Sequence, residues 1–233
     1  HSFSTIAIGG FSTHDSYIGF FESQLIETVC IFFMLIASLN FALHFFALKE
    51  KTARHYLQDD EVKFFISIVF VSILLVTLLL LNESVYSAST ALRMSTFEVV
   101  SIFTTTGYTT AGFSSWPSII PVFIFFGAFT GACAGSTGGG MKAIRVLLIW
   151  KQGLREVHRL IHPLAMFPVK VNHRQVPSEV MQAVWGFFSI YVVIFIFMLL
   201  ALMLTGLDFL TSFSAVGATI NNLGPGLGAV SEN

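Results

Sequence analysis

The sequence predicts an all-α integral membrane protein assembled from repeated units, each a helix, a re-entrant loop and a second helix. Three observations lead there. Of 233 residues, 55% are hydrophobic and only 11% are charged, whereas an ordinary soluble domain carries about 25% charged residues. Long apolar runs alternate with runs too short to cross a bilayer. A short pattern around a glycine recurs along the chain.

Crossing roughly 30 Å of hydrocarbon takes about 20 mostly apolar helical residues, since every backbone group must be bonded within the segment. Thr28 to Leu48, Phe64 to Leu81, Pro117 to Trp150 and Val180 to Leu204 reach or approach that length, the third with a glycine-rich interruption. Between them, Ala88 to Phe103 and Leu207 to Ile220 are apolar but short, and each runs into an irregular stretch containing glycine. Half-length helices of this kind dip in and return, and irregular backbone at membrane depth must be buried in protein or line a water-filled path.

Charge placement orients the chain, because short cytoplasmic loops are enriched in Lys and Arg. Lys49, Lys51, Arg54 and Lys63 lie between the first two spans, and Lys142, Arg145, Lys151, Arg155, Arg159, Lys170 and Arg174 lie around and after the third. Only Arg93 is left for the opposite side, which carries Asp15, Glu22, Glu83, Glu98 and Asp208. The short helices therefore open outward, toward a mildly acidic vestibule that concentrates cations. A net charge of −1 with scattered basic residues lacks the concentrated basic face that nucleic-acid binding requires. Cys30 and Cys133 lie in apolar or glycine-rich runs and read as packed small residues, and His158 and His162 have no Cys or carboxylate cluster beside them to make a zinc site. The first residues are not a signal-peptide n-region, and the chain reads as cut from a longer protein.

The repeat carries the chemistry. Ser4-Thr5-Ile6-Ala7-Ile8-Gly9-Gly10-Phe11-Ser12-Thr13 is matched by Ser101-Ile102-Phe103-Thr104-Thr105-Thr106-Gly107-Tyr108-Thr109-Thr110, and more loosely by Ala218-Thr219-Ile220-Asn221-Asn222-Leu223-Gly224-Pro225-Gly226. Two long spans separate Gly10 from Gly107 and two more separate Gly107 from Gly224, so the copies are parallel and share one membrane face. A ring of such segments suits cation selectivity: carbonyls replace an ion's water shell only where extended chain approaches the axis, and glycine allows that approach. The candidate ion-binding carbonyls are those of Ile8, Gly9, Gly10, Thr105, Thr106, Gly107, Asn222, Leu223 and Gly224, with Thr5, Thr104 to Thr106, Asn221 and Asn222 as hydrogen-bonding support. Taken singly, each glycine also fits a helix C-cap or a close-packing site.

The third span is broken between Gly127 and Lys142. Consecutive glycines are poor helix formers, each costing up to about 1 kcal/mol relative to Ala, so Gly135, Ser136, Thr137, Gly138, Gly139 and Gly140 are expected to form a non-helical loop near mid-membrane and to act as a gate. Gly127 and Gly131 also fit small-residue helix packing. Gly135 and Gly140 have a nucleotide loop's spacing, but Met141 stands where that loop needs lysine. Lys142 and Arg145 flank the loop either as gate-associated cations or as side chains snorkelling to the interface, and both readings stand.

Five segments now identify a resemblance: FSTIAIGGFSTHD at Phe3 to Asp15, TTTGYTT at Thr104 to Thr110, GACAGSTGGGMKAIRVLL at Gly131 to Leu148, AVWGFFS at Ala183 to Ser189, and INNLGPGLG at Ile220 to Gly228. The chain resembles, over essentially its whole length, the membrane subunit of the TrkH/TrkG/KtrB superfamily of potassium transporters, nearest its TrkH branch. The resemblance implies four helix, pore-loop, helix repeats arranged pseudo-fourfold around a pore, in a multi-pass homodimer of the bacterial inner membrane with filter loops facing the periplasm. It implies K+ as the transported ion with no organic cofactor, and a cytosolic RCK-type nucleotide-binding ring, TrkA, as partner. Gly10, Gly107 and Gly224 match the family's filter glycines of the second, third and fourth repeats, and Gly131 to Gly140 match its intramembrane gating loop. Residues 1–50 then end repeat 2, 51–163 form repeat 3, and 164–233 begin repeat 4, with repeat 1 and the final helix absent. Both channel-like and proton-coupled transport fit.

Two other classes fit less well. A solute transporter with discontinuous helices commonly uses inverted repeats and intramembrane carboxylates, but these repeats are parallel, and Glu27 and Glu179 sit near span ends. An intramembrane enzyme needs paired aspartates or a Ser/His pair within the bilayer, but Asp15 and Asp208 fall in loops and His44 has no evident serine partner. No enzymatic activity is expected.

Overall fold

The computed structural model describes residues 1–14, 16–117, 119–163 and 165–231; Asp15, expected on the acidic side, lies outside the described residues. The helices are α1 (Ser2–Ile6), α2 (Gln24–Ala37), α3 (Phe41–Glu50), α4 (Arg54–Gln58), α5 (Asp60–Asn82), α6 (Ala88–Phe103), α7 (Ile120–Thr130), α8 (Ala143–Ile161), α9 (Ser178–Met203) and α10 (Phe209–Asn221). A hairpin of β1 (Lys170–Val171) and β2 (Arg174–Gln175), paired antiparallel, joins α8 to α9.

Several helix starts are written in their first residues. Asp59 caps α5 by accepting the Val62 N–H at 3.0 Å, and Asp60 and Glu61 place carboxylates in the first turn, against the partial positive charge of a helix N-terminus. Asp208 caps α10 in the same way, accepting the Thr211 N–H at 3.1 Å. Among the described residues, α5 and α9 are long and apolar enough to cross a membrane as single helices. Exposed Phe70, Leu78, Ile190, Val193 and Phe197 on these helices present the apolar exterior that a lipid environment accepts.

The two short apolar runs are α6 and α10. α6 is wedged among α2, α5 and α7, and every residue from Phe97 to Phe103 is buried. Apolar contact alone does not drive helices together in lipid, so close packing and interhelical hydrogen bonds carry more of the association. Thr77 of α5 and Ser95 of α6 share such a bond at 2.6 Å. Gly127 of α7 allows close approach as well, since a Cβ there would run into the Phe103 ring. Gly131, its partner in the small-residue spacing, instead has φ +66° and lies against Gly139 and Gly140, so it belongs to the loop.

One expected span is corrected. Thr28 to Leu48 is not a single helix but α2 and α3 meeting at 95°. The physical reason is a neighbour: the Cys133 N–H donates to the Ser38 carbonyl at 2.9 Å and the Phe41 N–H donates to the Gly135 carbonyl at 3.0 Å. The glycine-rich loop is thus seated in the break, and Asn40 restarts the helix by accepting the Ala42 N–H at 2.9 Å.

At one end of the bundle, Lys151 Nζ donates to Asp60 Oδ2 at 3.2 Å and to the Lys170 carbonyl at 2.7 Å. Asn172 of the hairpin donates to Asp59 and Asp60 at 2.9 and 3.0 Å. The start of α5, the middle of α8 and the hairpin therefore meet where the basic residues collect.

Candidate functional site: three matched turns above a glycine loop

Each candidate filter segment leaves its short helix by the same turn. The Ile8, Thr105 and Asn222 N–H groups donate to the carbonyls three residues back, Thr5, Ile102 and Thr219, at 3.2, 3.0 and 3.2 Å. The next residues, Gly9, Thr106 and Leu223, donate five residues back, to Ser4, Ser101 and Ala218, at 2.9, 2.8 and 2.8 Å. This is the Schellman pattern, which needs a left-handed residue at the turn, and φ is +52° at Ile8, +64° at Thr105 and +56° at Asn222. Each stands two residues before Gly10, Gly107 and Gly224, so the turn keeps the sequence register of the repeat, although Gly224 itself lacks the left-handed φ of Gly10 and Gly107. Left-handed backbone at a β-branched residue such as Ile8 or Thr105 costs roughly 1–2 kcal/mol, and strain of this kind persists only where the surroundings enforce it.

The three segments are neighbours. A Cβ on Gly10 would collide with the Thr106 carbonyl oxygen, and one on Gly107 would lie 2.9 Å from the Gly224 nitrogen and 3.0 Å from Pro225 Cδ. Gly10 and Gly107 also have φ of +65° and +83°, so both positions demand glycine for conformation and for space. Tyr108 OH reaches across to the His1 and Phe11 carbonyls at 3.2 and 3.3 Å, tying the second segment to the first.

The supporting hydrogen bonds agree in part with those expected. The Thr104 and Thr106 hydroxyls share a bond at 2.8 Å within the second segment, whereas Thr5 bonds back to the His1 carbonyl and Thr104 also to the Ser101 carbonyl, within their own helices. Thr105 and Asn221 serve other elements, described below. The strands are braced instead by Ser4, whose Oγ accepts the Phe11 N–H at 2.8 Å, and by Ser101, whose Oγ donates to the Tyr108 carbonyl at 2.6 Å. Glu98, expected on the acidic outer surface, is fully buried. Its Oε1 accepts the N–H groups of Thr110 and Ala111 at 2.8 and 3.1 Å, holding the chain beyond Gly107. Asp208 remains at the surface, and hydrogen bonds from the Thr211 side chain and backbone hold its carboxyl below the usual range, keeping it charged.

Residues 131–142 form the expected non-helical loop between α7 and α8. The loop touches all three segments. Thr137 Oγ1 donates to the Ile6 carbonyl at 3.2 Å. The Gly139 N–H donates to Thr105 Oγ1 at 2.6 Å. A Cβ on Gly139 would meet the Asn221 carbonyl oxygen, and one on Gly138 would lie 2.9 Å from the Thr104 carbonyl oxygen. Asn221 is held from the other side by Tyr191 of α9, whose OH donates to Oδ1 at 2.7 Å.

Both flanking cations engage the loop. Lys142 Nζ donates to the Gly138 carbonyl and, at 3.5 Å, to the Ser136 carbonyl. Arg145 donates to the Met141 carbonyl at 2.9 Å and stacks over the Phe187 ring of α9 at 4.2 Å. A further contact comes from a residue not singled out in the sequence: Glu61 Oε1 accepts the Ala134 N–H at 2.6 Å and the Ile144 N–H at 3.0 Å. Its signal was faint because it lies outside the apolar run, at a position that reads as an ordinary acidic first turn.

Three short helices ending in matched left-handed turns beside one another, with long apolar helices between them, define an integral membrane protein of the pore-loop class. Comparison with known proteins specifies it further. The chain belongs to the TrkH cation transport protein family, whose profile matches residues 1–233. It is 52% identical over 233 residues to the Trk system potassium uptake protein TrkH of Halomonas elongata and 47% identical over 234 residues to that of Escherichia coli, covering 100% of this chain and 48% of each relative. The crystal structure of the potassium transporter TrkH from Vibrio parahaemolyticus superposes with a TM-score of 0.94 at 50% identity, covering 99% of this chain and 50% of that one. The chain thus spans about half the length of these relatives, which are named as transport proteins rather than enzymes.

Proposed function

We infer that this chain supplies three of the four filter segments of a potassium uptake protein, with the glycine-rich loop as a gate beneath them. One observation carries this reading: a single loop, through Thr137, Gly138 and Gly139, touches the ends of all three short helices at once. A plug in that position blocks a path on the axis of the ring, which a loop serving only helix packing has no reason to occupy. Carbonyls of Ile8, Gly9 and Gly10, of Thr105, Thr106 and Gly107, and of Asn222, Leu223 and Gly224 replace the water shell of K+. The names of the relatives supply the ion. Residues 1–50, 51–163 and 164–233 are the end of repeat 2, repeat 3 and the start of repeat 4.

In the whole protein, repeat 1 completes the ring, and two copies form a homodimer with one pore each. The membrane is the bacterial inner membrane, the filter faces the periplasm, and the basic end faces the cytosol, where the RCK-type ring TrkA controls the loop. K+ enters past a mildly acidic outer surface, loses water at the filter and meets the loop.

The test is uptake of labelled rubidium into proteoliposomes holding the full-length parent, with K+ and Na+ as competitors, beside a Gly107→Ser variant. Excess K+ is expected to suppress uptake and Na+ barely to do so. The serine, lacking room beside Gly224 and Pro225, is expected to reduce the K+ over Na+ preference by roughly tenfold, about 1.4 kcal/mol. Equal ion ratios in parent and variant would remove Gly107 from the filter, and uptake that neither cation suppresses would overturn the reading as a whole.

A further inference from the structure

Glu61 is 6% exposed, and a buried carboxylate is tolerated only where hydrogen bonds replace its water. Both of its donors are backbone N–H groups of the glycine-loop region, and they sit on opposite limbs of the loop. Ala134, at 2.6 Å, immediately precedes Gly135, and Ile144, at 3.0 Å, lies in the first turn of α8. One carboxylate oxygen therefore gathers the entry and the exit of the loop. The α8 N-terminus adds its partial positive charge, which favours an anion there.

The loop's contacts with the filter segments are of a different kind. They are neutral bonds from Thr137 Oγ1 and the Gly139 N–H, at 3.2 and 2.6 Å. Hydrogen bonds to a charged acceptor are roughly twice as strong as neutral ones. Glu61 also belongs to α5, a long span packed along α6, so the stronger hold is on a part of the fold with no need to move. Glu61 does not touch a filter segment through either of these bonds.

From this geometry we propose that Glu61 is the positioning residue of the gate: its carboxylate fixes the base of the loop to α5, and that attachment keeps the tip against the filter. The proposal rests on the gate reading above and adds to it the residue that sets how tightly the gate closes. Losing the carboxylate loosens the base, so the tip leaves the filter more often. Flux rises, and ion preference stays as it was because the filter is untouched.

Cys133 reports on the base directly, being fully buried and next to Ala134. In full-length protein carrying Cys133 as its sole cysteine, labelling by a water-soluble maleimide and rubidium uptake are measured for the parent, Glu61→Gln and Glu61→Met, beside a deletion of Gly138 to Gly140. Glu61→Met is expected to raise the labelling rate roughly tenfold, the loss of bonds to a charged acceptor being ample for that, and to raise uptake with an unchanged K+ to Na+ ratio. Glu61→Gln keeps an oxygen acceptor without the charge and falls between the two, a gradation that a general packing defect would not produce. It also serves as the test if Glu61→Met fails to reach the membrane. Unchanged labelling in the glutamine and methionine variants overturns the proposal, even where the deletion raises uptake and the gate reading stands. Faster labelling with no rise in uptake in any variant keeps Glu61 as the loop's anchor and overturns the loop as gate.

Discussion

A left-handed backbone turn sorts residues by side chain, and the three matched turns use this differently. Asn222 is exposed and of a type that tolerates the left-handed region, whereas Ile8 is 1% exposed and Thr105 is fully buried, its hydroxyl spent on the Gly139 N–H. Neighbouring contacts enforce the turn at Ile8 and Thr105, while at Asn222 the residue type does so. Asn222→Gly is therefore expected to leave the thermal midpoint of the solubilised full-length protein nearly unchanged. Asn222→Val is expected to lower stability by about 1–2 kcal/mol, seen as a lower midpoint in a thermal melt followed by size-exclusion recovery. Equal midpoints for the two variants would mean that the turn at Asn222 is not held in the folded protein. At this scale the glycines were legible, because three copies repeat the same small-residue signature. The turn residues two positions earlier were not, because isoleucine, threonine and asparagine share no chemistry, and only their common φ unites them. Glu98 was misplaced for a related reason: a lone acid in an apolar run reads as surface until its backbone donors are known.

Elements were legible where one helix answers to one apolar run. The predicted run Ala88 to Phe103 is α6, and α5 and α9 enclose the predicted Phe64 to Leu81 and nearly all of Val180 to Leu204. The 95° break between α2 and α3 was not legible, because Ser38-Leu39-Asn40 carries no glycine or proline to announce it. Its cause lies about a hundred residues away, in the Cys133 and Gly135 bonds to Ser38 and Phe41. Two broken helices thus complete each other: each supplies the partners that the other's interrupted ladder leaves open, as unsatisfied backbone in a bilayer interior requires. The loop between α7 and α8 is consequently held at its base by Glu61 and by the α2–α3 break, and only its tip rests on the filter segments. Deleting Gly138 to Gly140 shortens the tip and removes neither the Glu61 bonds to Ala134 and Ile144 nor the bonds to Ser38 and Phe41. Rubidium uptake by the full-length variant is expected to rise severalfold while the K+ to Na+ ratio stays within about twofold, since the filter carbonyls are left in place. Loss of expression in that variant would mark the tip as a folding element rather than a gate.

Across the whole molecule, parallel repetition decides more than any single contact. In the proposed topology an even number of crossings between successive candidate filter segments puts them on one face, and adjacent packing of Gly10 with Thr106 and of Gly107 with Gly224 sets them side by side, as consecutive members of the proposed ring. Crossing parity could be counted in the sequence; adjacency could not, because it depends on α6 and α10 both packing against α7. The same parity separates the ends of the fold. The turn after α5, at Ser84, and the hairpin at His173 are both exposed, and in the proposed topology the chain between them passes along α6, returns through its candidate filter segment, and crosses once through α7, the loop and α8. In the proposed orientation the basic residues gathered around Lys151 and the hairpin face the cytosol, following the enrichment of Lys and Arg in short inner loops. Single-cysteine variants of the full-length protein at Ser84 and His173 should therefore behave oppositely in intact cells treated with a membrane-impermeant maleimide. Ser84→Cys is expected to label at once, and His173→Cys only after the inner membrane is permeabilised. Labelling of both from outside would contradict the single crossing through the loop, and with it the mid-membrane position on which gating by that loop depends.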